Sequence, residues 1–298
     1  MTTSNRQGAA AGAKIAAGGS EARNVMQRVA SAAVLGPIAL VAAYFGGWLF
    51  LGLCAVAAGL ILWEWTALVA GGADWRILVP GWAALLATMA LVAEIEVGAA
   101  VVMIAIGAVL AGGIIAALPR RYPAANPAVW AVAGVAYAGV ALLGAAVLRS
   151  DPQWGFAALL FLFATVWATD IFAYLIGRAI GGPLLWPTLS PHKTWAGAIG
   201  GAVGGVVAGA AVAYASVGTG PVAAGVLALV LSIATQGGDL FESAVKRRFG
   251  AKDAGHLIPG HGGAMDRLDG FLAAALVGAL IGLGHQGPAA PGLGLLVW

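Results

Sequence analysis

The sequence predicts an all-α, polytopic helical integral membrane protein with about nine transmembrane helices and its N-terminus inside. Three observations carry that expectation. Of 298 residues, 61% are hydrophobic, and mean hydropathy is +0.94, whereas soluble domains hold about 45–50% apolar residues. The excess is gathered in runs of about 20 residues, each long enough to cross a hydrocarbon core of about 30 Å. Finally, Lys and Arg fall almost wholly in the loops on one side of those runs. The net charge of +3 therefore reads as topological, not as a nucleic-acid footprint, and no nucleic-acid partner is expected. The single cysteine, Cys54, lies in an apolar run and reads as packing.

Taken in order, residues 1–29 are polar, small and rich in Gly and Ala, with Arg6, Lys14, Arg23 and Arg28. They read as a disordered cytoplasmic tail. Residues 30–150 read as a scaffold of about five helices, and residues 151–298 as a catalytic region of about four helices with cytoplasmic loops. The spans fall roughly at 30–46, 48–68, 78–95, 98–118, 127–148, 155–177, 196–217, 221–243 and 268–285. Gly46 and Gly47 imply a tight hairpin between the first two. Trp63, Trp65, Trp75 and Trp82 read as interfacial aromatics, and Glu64 either as a functional residue or, the favoured reading, as an interfacial acid facing headgroups. This arrangement puts 14 of the 15 Lys and Arg on one side, with Arg149 alone opposite.

Polar residues enter from the sixth span. Asp170, Tyr174 and Arg178 share one helix face; they suit either a functional site or an Asp–Arg pair tying helices together. In the stretch Ser190 to Gly197 (SPHKTWAG), Pro191 breaks any helix. Lys193 and Thr194 then precede the seventh span, where a cation, a hydroxyl and free backbone N–H groups suit a phosphate. Gly197, Gly201, Gly205 and Gly209 form a small-residue face for close packing. On the eighth span Ser232, Gln236, Asp239, Ser243 and Lys246 recur at three- or four-residue steps. Asp239 lies ~27 Å along from Pro221, near the cytoplasmic edge of a ~30 Å hydrocarbon core. The densest charge follows in Ser243–Asp269, which also holds His256 and His261. Asp239, Asp266 and Asp269 offer hard oxygen ligands of the kind Mg²⁺ takes. Lys246, Arg247, Lys252 and Arg267 could neutralise phosphates, or be ordinary inside-loop charges.

The order Ser243-x-x-Lys246-Arg247, Lys252-Asp253, then Pro259-x-His261-Gly262-Gly263-x-x-Asp266-Arg267-x-Asp269 resembles the signature of the phosphatidate cytidylyltransferases. The segment DIFAYLIGR, beginning at Asp170, resembles a second stretch of the same family. Where that family often carries Glu, this chain has Ala196, so any role of an acid there is absent or met elsewhere.

The resemblance implies an enzyme, a nucleotidyltransferase that moves CMP from CTP to phosphatidate, giving CDP-diacylglycerol and pyrophosphate. It implies Asp239, Ser243, Lys246, His261, Asp266, Arg267 and Asp269 as catalytic residues, with His261 favoured as a phosphate contact. Asp170, Tyr174, Ser190, Lys193, Thr194, Arg247, Lys252, Asp253, Gly262 and Gly263 would bind substrate, and Asp239 and Asp266 would hold Mg²⁺, with a second cation left open. Expected partners are CTP, phosphatidate, membrane lipid and a second copy in a homodimer. The expected location is a bacterial-type inner membrane, multi-pass, with the site facing the cytoplasm. Two alternatives stand beside this: another CTP-using lipid enzyme such as a polyprenol kinase, and an ion-coupled transporter using the intramembrane acids.

Overall fold

In lipid, a backbone must satisfy its own N–H and C=O groups, and an open chain of apolar residues does so only as helices. The computed structural model describes residues 33–118, 122–255 and 262–298, and they follow that rule. A short apolar helix α1 (Ala33–Phe45) leads into α2 (Gly47–Ala70), α3 (Trp75–Ala93), α4 (Val97–Ala117), α5 (Pro127–Ser150) and α6 (Gly155–Ile180). Strands β1 (Leu184–Trp186) and β2 (Ser190–Thr194) follow, then α7 (Trp195–Val217), α8 (Pro221–Arg248), α9 (Met265–Gln286) and the short α10 (Pro291–Leu296).

The eight helices α2 to α9 are each long and apolar enough to cross a membrane. The first expected span begins among residues outside the described ones, as does the expected tail 1–29. Helix α8 runs to Arg248, five residues past its expected end. The charges that end an apolar run do not end the helix: Lys246, Arg247 and Arg248 lie in its last turn, where cations oppose the helix dipole favourably. At ~1.5 Å per residue α8 is ~42 Å long, so a hydrocarbon core cannot cover it and one end stands in the interface.

Two expectations are corrected. The all-α expectation misses a small antiparallel β-hairpin around Pro191; Leu184 lies opposite Thr194, and Trp186 opposite Ser190. Pro191 is tolerated because a two-stranded ribbon has only edge strands, where a missing N–H goes unnoticed. Trp65 is not interfacial: it is buried, tilted against Trp130 and Tyr137, with its indole N–H donating to Trp130 O at 2.9 Å. Trp63, Trp75 and Trp82 do form an aromatic cluster, with Trp63 and Trp82 stacked at 6.2 Å.

Side chains pin the helix ends. Asp74 takes Arg76 at 2.6 and 2.9 Å and Tyr122 at 2.7 Å, while Arg76 also reaches Leu118 O at 2.8 Å, joining the α2–α3 connection to the end of α4. The Arg76 guanidinium pulls the Asp74 carboxyl down to about 2. At the other end of the bundle Asp151 accepts from the Gln153 and Trp154 amides and from Leu293 N, tying α10 to the α5–α6 turn.

The α6–α7 pair is the most extensive helix contact, and the glycine face makes it. A Cβ on Gly201 would stand 2.7 Å from Thr169 O, and one on Gly197 would stand 2.7 Å from Ala173 O. Helix α7 therefore lies on α6 backbone to backbone, and the hairpin that links them is drawn over the pair's end. Gly201→Ala must push α7 outward, and such overpacking costs about 1–3 kcal/mol. Gly52→Ala, with nothing within 4 Å, gains helix propensity instead. Thermal unfolding of both variants in one detergent should show a clear fall in Tm for Gly201→Ala and none for Gly52→Ala.

Candidate active site

Helices α6 and α8 end, and α7 and α9 begin, at the same end of the bundle. A cavity of about 690 Å³ opens there, within the ~300–1,000 Å³ range of ligand pockets. Its walls carry charges of both signs. Helix α6 contributes Asp170, Tyr174 and Arg178; the hairpin contributes Ser190, His192 and Lys193, with Thr194 at its junction with α7. Helix α8 contributes Gln236 and Asp239, and α9 contributes Asp266, Arg267 and Asp269. So the cations Arg178 and Lys193 of α6 and the hairpin share the cavity with the acids of α8 and α9, while Asp170 of α6 and Arg267 of α9 add the opposite charge on either side.

Close helix contact brings the acids together. A Cβ on Gly238 would meet Asp269 O at 2.5 Å, and one on Gly270 would meet the Thr235 side chain at 2.8 Å. The absence of side chains there lets α8 and α9 touch at the level of Asp239 and Asp269, whose carboxyl groups stand within hydrogen-bonding reach of each other. Asp239 also receives the Lys193 ammonium from the hairpin. Gln236 donates to Ala198 O at 3.3 Å, and Arg178 donates to the Tyr174 hydroxyl at 2.9 Å.

Behind the cavity lies a second layer. Lys246 is largely buried and bonds Asp266 at 2.6 Å and Glu242 at 2.5 Å. The other Asp266 oxygen accepts from the amides of Ala254 and Gly263 at 2.9 and 2.8 Å. Gly262, at φ +82°, turns the chain over that carboxylate. Asp266 thus ties Ala254 and Gly263 to the first turn of α9 while lining the cavity.

Of the residues expected from sequence, Asp170, Tyr174, Ser190, Lys193, Thr194, Asp239, Asp266, Arg267 and Asp269 line this cavity. Thr194 spends its hydroxyl on the α7 N-cap, accepting from Gly197 N at 3.1 Å. The others stand elsewhere. Lys246 faces inward as described, Ser243 is half-buried on α8, and Arg247 is exposed and donates to Ala251 O. Lys252 and Asp253 are exposed, and Gly262 and Gly263 lie in the turn before α9. His261, with His256, lies outside the described residues.

Two residues went unread and a third was misread. His192 lines the cavity beside Lys193, and its position in SPHKT was the available signal. Glu242 is buried, with Oε1 lacking a hydrogen-bond partner; its one signal is the four-residue step to Lys246. Glu64 is a correction: it does not face headgroups. It is 2% exposed and accepts from the amides of Ala264 and Met265 at 2.8 Å each. Its partners lie 200 and 201 residues away, and no local pattern announces them.

The donor set fits a hard divalent cation. Three carboxylates line one wall, two within bonding reach of each other, and like charges so placed call for a cation or a shared proton. Among the described residues no group of three or more His, Cys, Asp or Glu forms a ready cage. Mg²⁺, which keeps waters and takes one or two carboxylates plus substrate phosphates, does not need one.

The Lys246 geometry changes what its removal should do. Lys246→Met keeps the volume but strands Glu242 and Asp266, and breaking a buried pair costs about 3–5 kcal/mol. Lys246→Met should therefore lower Tm sharply or prevent folding, whereas Arg247→Met, at an exposed position, should leave Tm nearly unchanged.

A model of the cytidylyltransferase family matches residues 26–282. A phosphatidate cytidylyltransferase of Brucella suis is 44% identical over 269 residues, covering 90% of this chain and 97% of its own. One of Brucella abortus is 45% identical over 260 residues, covering 87% and 93%. One of Staphylococcus haemolyticus is 38% identical over 146 residues, covering 49% and 55%. With its cavity of acids and cations at one end of a membrane bundle, and a match spanning nearly its whole length, the chain belongs to the cytidylyltransferase family.

Proposed function

We infer that the chain is a phosphatidate cytidylyltransferase, a multi-pass membrane enzyme that converts CTP and phosphatidate to CDP-diacylglycerol and pyrophosphate. The observation that carries the reading of its site is the gathering of Lys193, Arg178 and Arg267 with Asp239, Asp266 and Asp269 in one cavity. Both substrates are phosphate anions, and one of them is a lipid. A cavity at the end of a transmembrane bundle, lined by cations and carboxylates together, suits both. Neither a polyprenol kinase nor an ion-coupled transporter finds support in the family match.

In the reaction a phosphatidate oxygen attacks the α-phosphorus of CTP; the new P–O bond forms, the α–β P–O bond breaks, and pyrophosphate leaves. The nucleophile is already ionised near neutral pH, so the demand is for positioning and charge stabilisation, not for a general base. Lys193, Arg178 and Arg267 would hold phosphate oxygens, His192 and Ser190 would add hydrogen bonds, and the Asp170 side of the cavity would receive the lipid headgroup. Asp239 and Asp266, with Asp269 beside them, would hold Mg²⁺. When bound, the metal would screen the phosphate charge and polarise the α-phosphorus. Lys193 then has two employments: it neutralises Asp239 in the substrate-free protein, and would turn to phosphate when Asp239 takes the cation.

The site would face the cytoplasm of a bacterial inner membrane, a reading supported by 14 of the 15 Lys and Arg falling on that side; a homodimer belongs to the same proposal. A cysteine introduced at Lys252, in a background where buried Cys54 is replaced, should be labelled by a membrane-impermeant thiol reagent only after the cells are opened. Labelling in intact cells would reverse the orientation.

Asp239→Asn and Asp266→Asn should each nearly abolish Mg²⁺-dependent turnover of CTP and phosphatidate. If the two act through one metal, the double variant should be little worse than either single one. Turnover per folded molecule decides, because Asp266 also carries structural hydrogen bonds. Folded variants with near-normal turnover would remove the metal assignment.

A further inference from the structure

The acids of α9 reach the cavity only if the first turn of that helix is held in place. The amides of a helix N-terminus have no partner within the helix, and at α9 two of them, Ala264 and Met265, are taken by a side chain from the other half of the protein. Glu64 of α2 spends one carboxylate oxygen on each, at 2.8 Å. The fit is tight on both flanks. A Cβ on Gly255 would stand 2.7 Å from Glu64 Oε1, and one on Gly263 would stand 2.5 Å from Oε2. Residues 255 and 263 flank the middle of the charged segment, so its base closes over one carboxylate. Immediately beyond, Asp266, Arg267 and Asp269 line the cavity, while Glu64 itself does not.

We propose that Glu64 is a positioning residue for the reaction: its carboxylate fixes the N-terminus of α9, and through it the reach of Asp266 and Asp269 into the active-site cavity. The carboxylate is matched to the job, since a negative group at a helix N-terminus also meets the positive end of the helix dipole. A neutral amide cannot replace it. Glutamine offers one acceptor and sets an NH₂ donor against the second backbone N–H. The proposal rests on the site reading above, and its test has an arm independent of that reading.

Full-length protein purified in detergent would be compared with Glu64→Gln, Glu64→Ala, Thr66→Val and Ile61→Ala. Thr66 and Ile61 are buried neighbours on α2, and the Thr66 hydroxyl lacks a hydrogen-bond partner. Three quantities are read: hydrogen exchange of a peptide covering residues 262–268, kcat and KM for CTP per folded molecule, and Tm. In Glu64→Gln the exchange should quicken by about 10-fold or more, and kcat should fall by roughly 10–100-fold with KM changed far less, as when a supporting hydrogen bond behind active-site ligands is lost. Thr66→Val should match the wild type. Ile61→Ala should lose Tm while keeping kcat and the exchange of that peptide. Unchanged exchange in Glu64→Gln overturns the proposal. So does a kcat loss matched by Ile61→Ala, or failure of both Glu64 variants to fold where Ile61→Ala folds, since each assigns Glu64 to general stability. A wild-type protein inactive on CTP and phosphatidate would sink the functional reading alone, and the exchange arm would still decide the fate of Glu64.

Discussion

A carboxylate at the rim of a membrane must have its charge met, and the active end of this protein is arranged around that demand. Four acids of α8 and α9 gather there, and removing any of them from water without compensation would cost several kcal/mol. Each is met differently. Asp239 takes Lys193 from the hairpin, Asp266 takes Lys246 and two backbone amides, and Glu242 shares the same lysine. Asp269 accepts from its neighbour Gly270 N at 2.8 Å and lies against Asp239. Because the partners come from the hairpin, from α8 and from the loop before α9, the charges also fix how those elements sit. The electrostatics hold the site's shape, and the apolar helix faces only bring the pieces near.

Close packing sets how near. Glycines at 197 and 201 seat α7 on α6, and those at 238 and 270 seat α8 on α9. Without a hydrophobic force between helices in lipid, small residues are what allow backbones to approach. Both close contacts lie at or near the cavity, so the glycines that settle helix packing also decide which polar side chains meet. A bulkier residue at 238 would press on the Asp269 backbone and the Ala273 side chain and so push α8 from α9 at the level of the acids.

Most of this was legible in the sequence where the signal is local or periodic. Long apolar runs announced nine spans, of which eight are described membrane-length helices, and the spacing of Ser232, Gln236, Asp239, Ser243 and Lys246 announced one polar helix face. Legibility ended where partners are distant or backbone. Nothing near Glu64 marks it as anything but an acid at a helix end, since its partners are amide groups 200 residues on. The hairpin was hidden because Pro191 argues against strands in a sheet interior, and only the two-stranded geometry makes it harmless. Lys246 misled through its position: at the end of an apolar run it reads as exposed, yet the buried Glu242 one turn before and Asp266 on the next helix draw it inward.

Two of the basic residues paired with acids near the cavity, Lys246 and Lys193, are placed for different work. Lys246 lies behind the acids, with both of its carboxylate partners largely buried, so its charge is spent on them. Lys193 and Asp239 are each about one-third exposed to the cavity, where an arriving phosphate and cation can each claim one member of the pair. Screening by solvent keeps such a half-exposed pair weak, which suits a contact that must open in every cycle. On the proposed reading, burial sorts the cations by role: the deep one maintains the architecture, and the shallow one is released to the substrate.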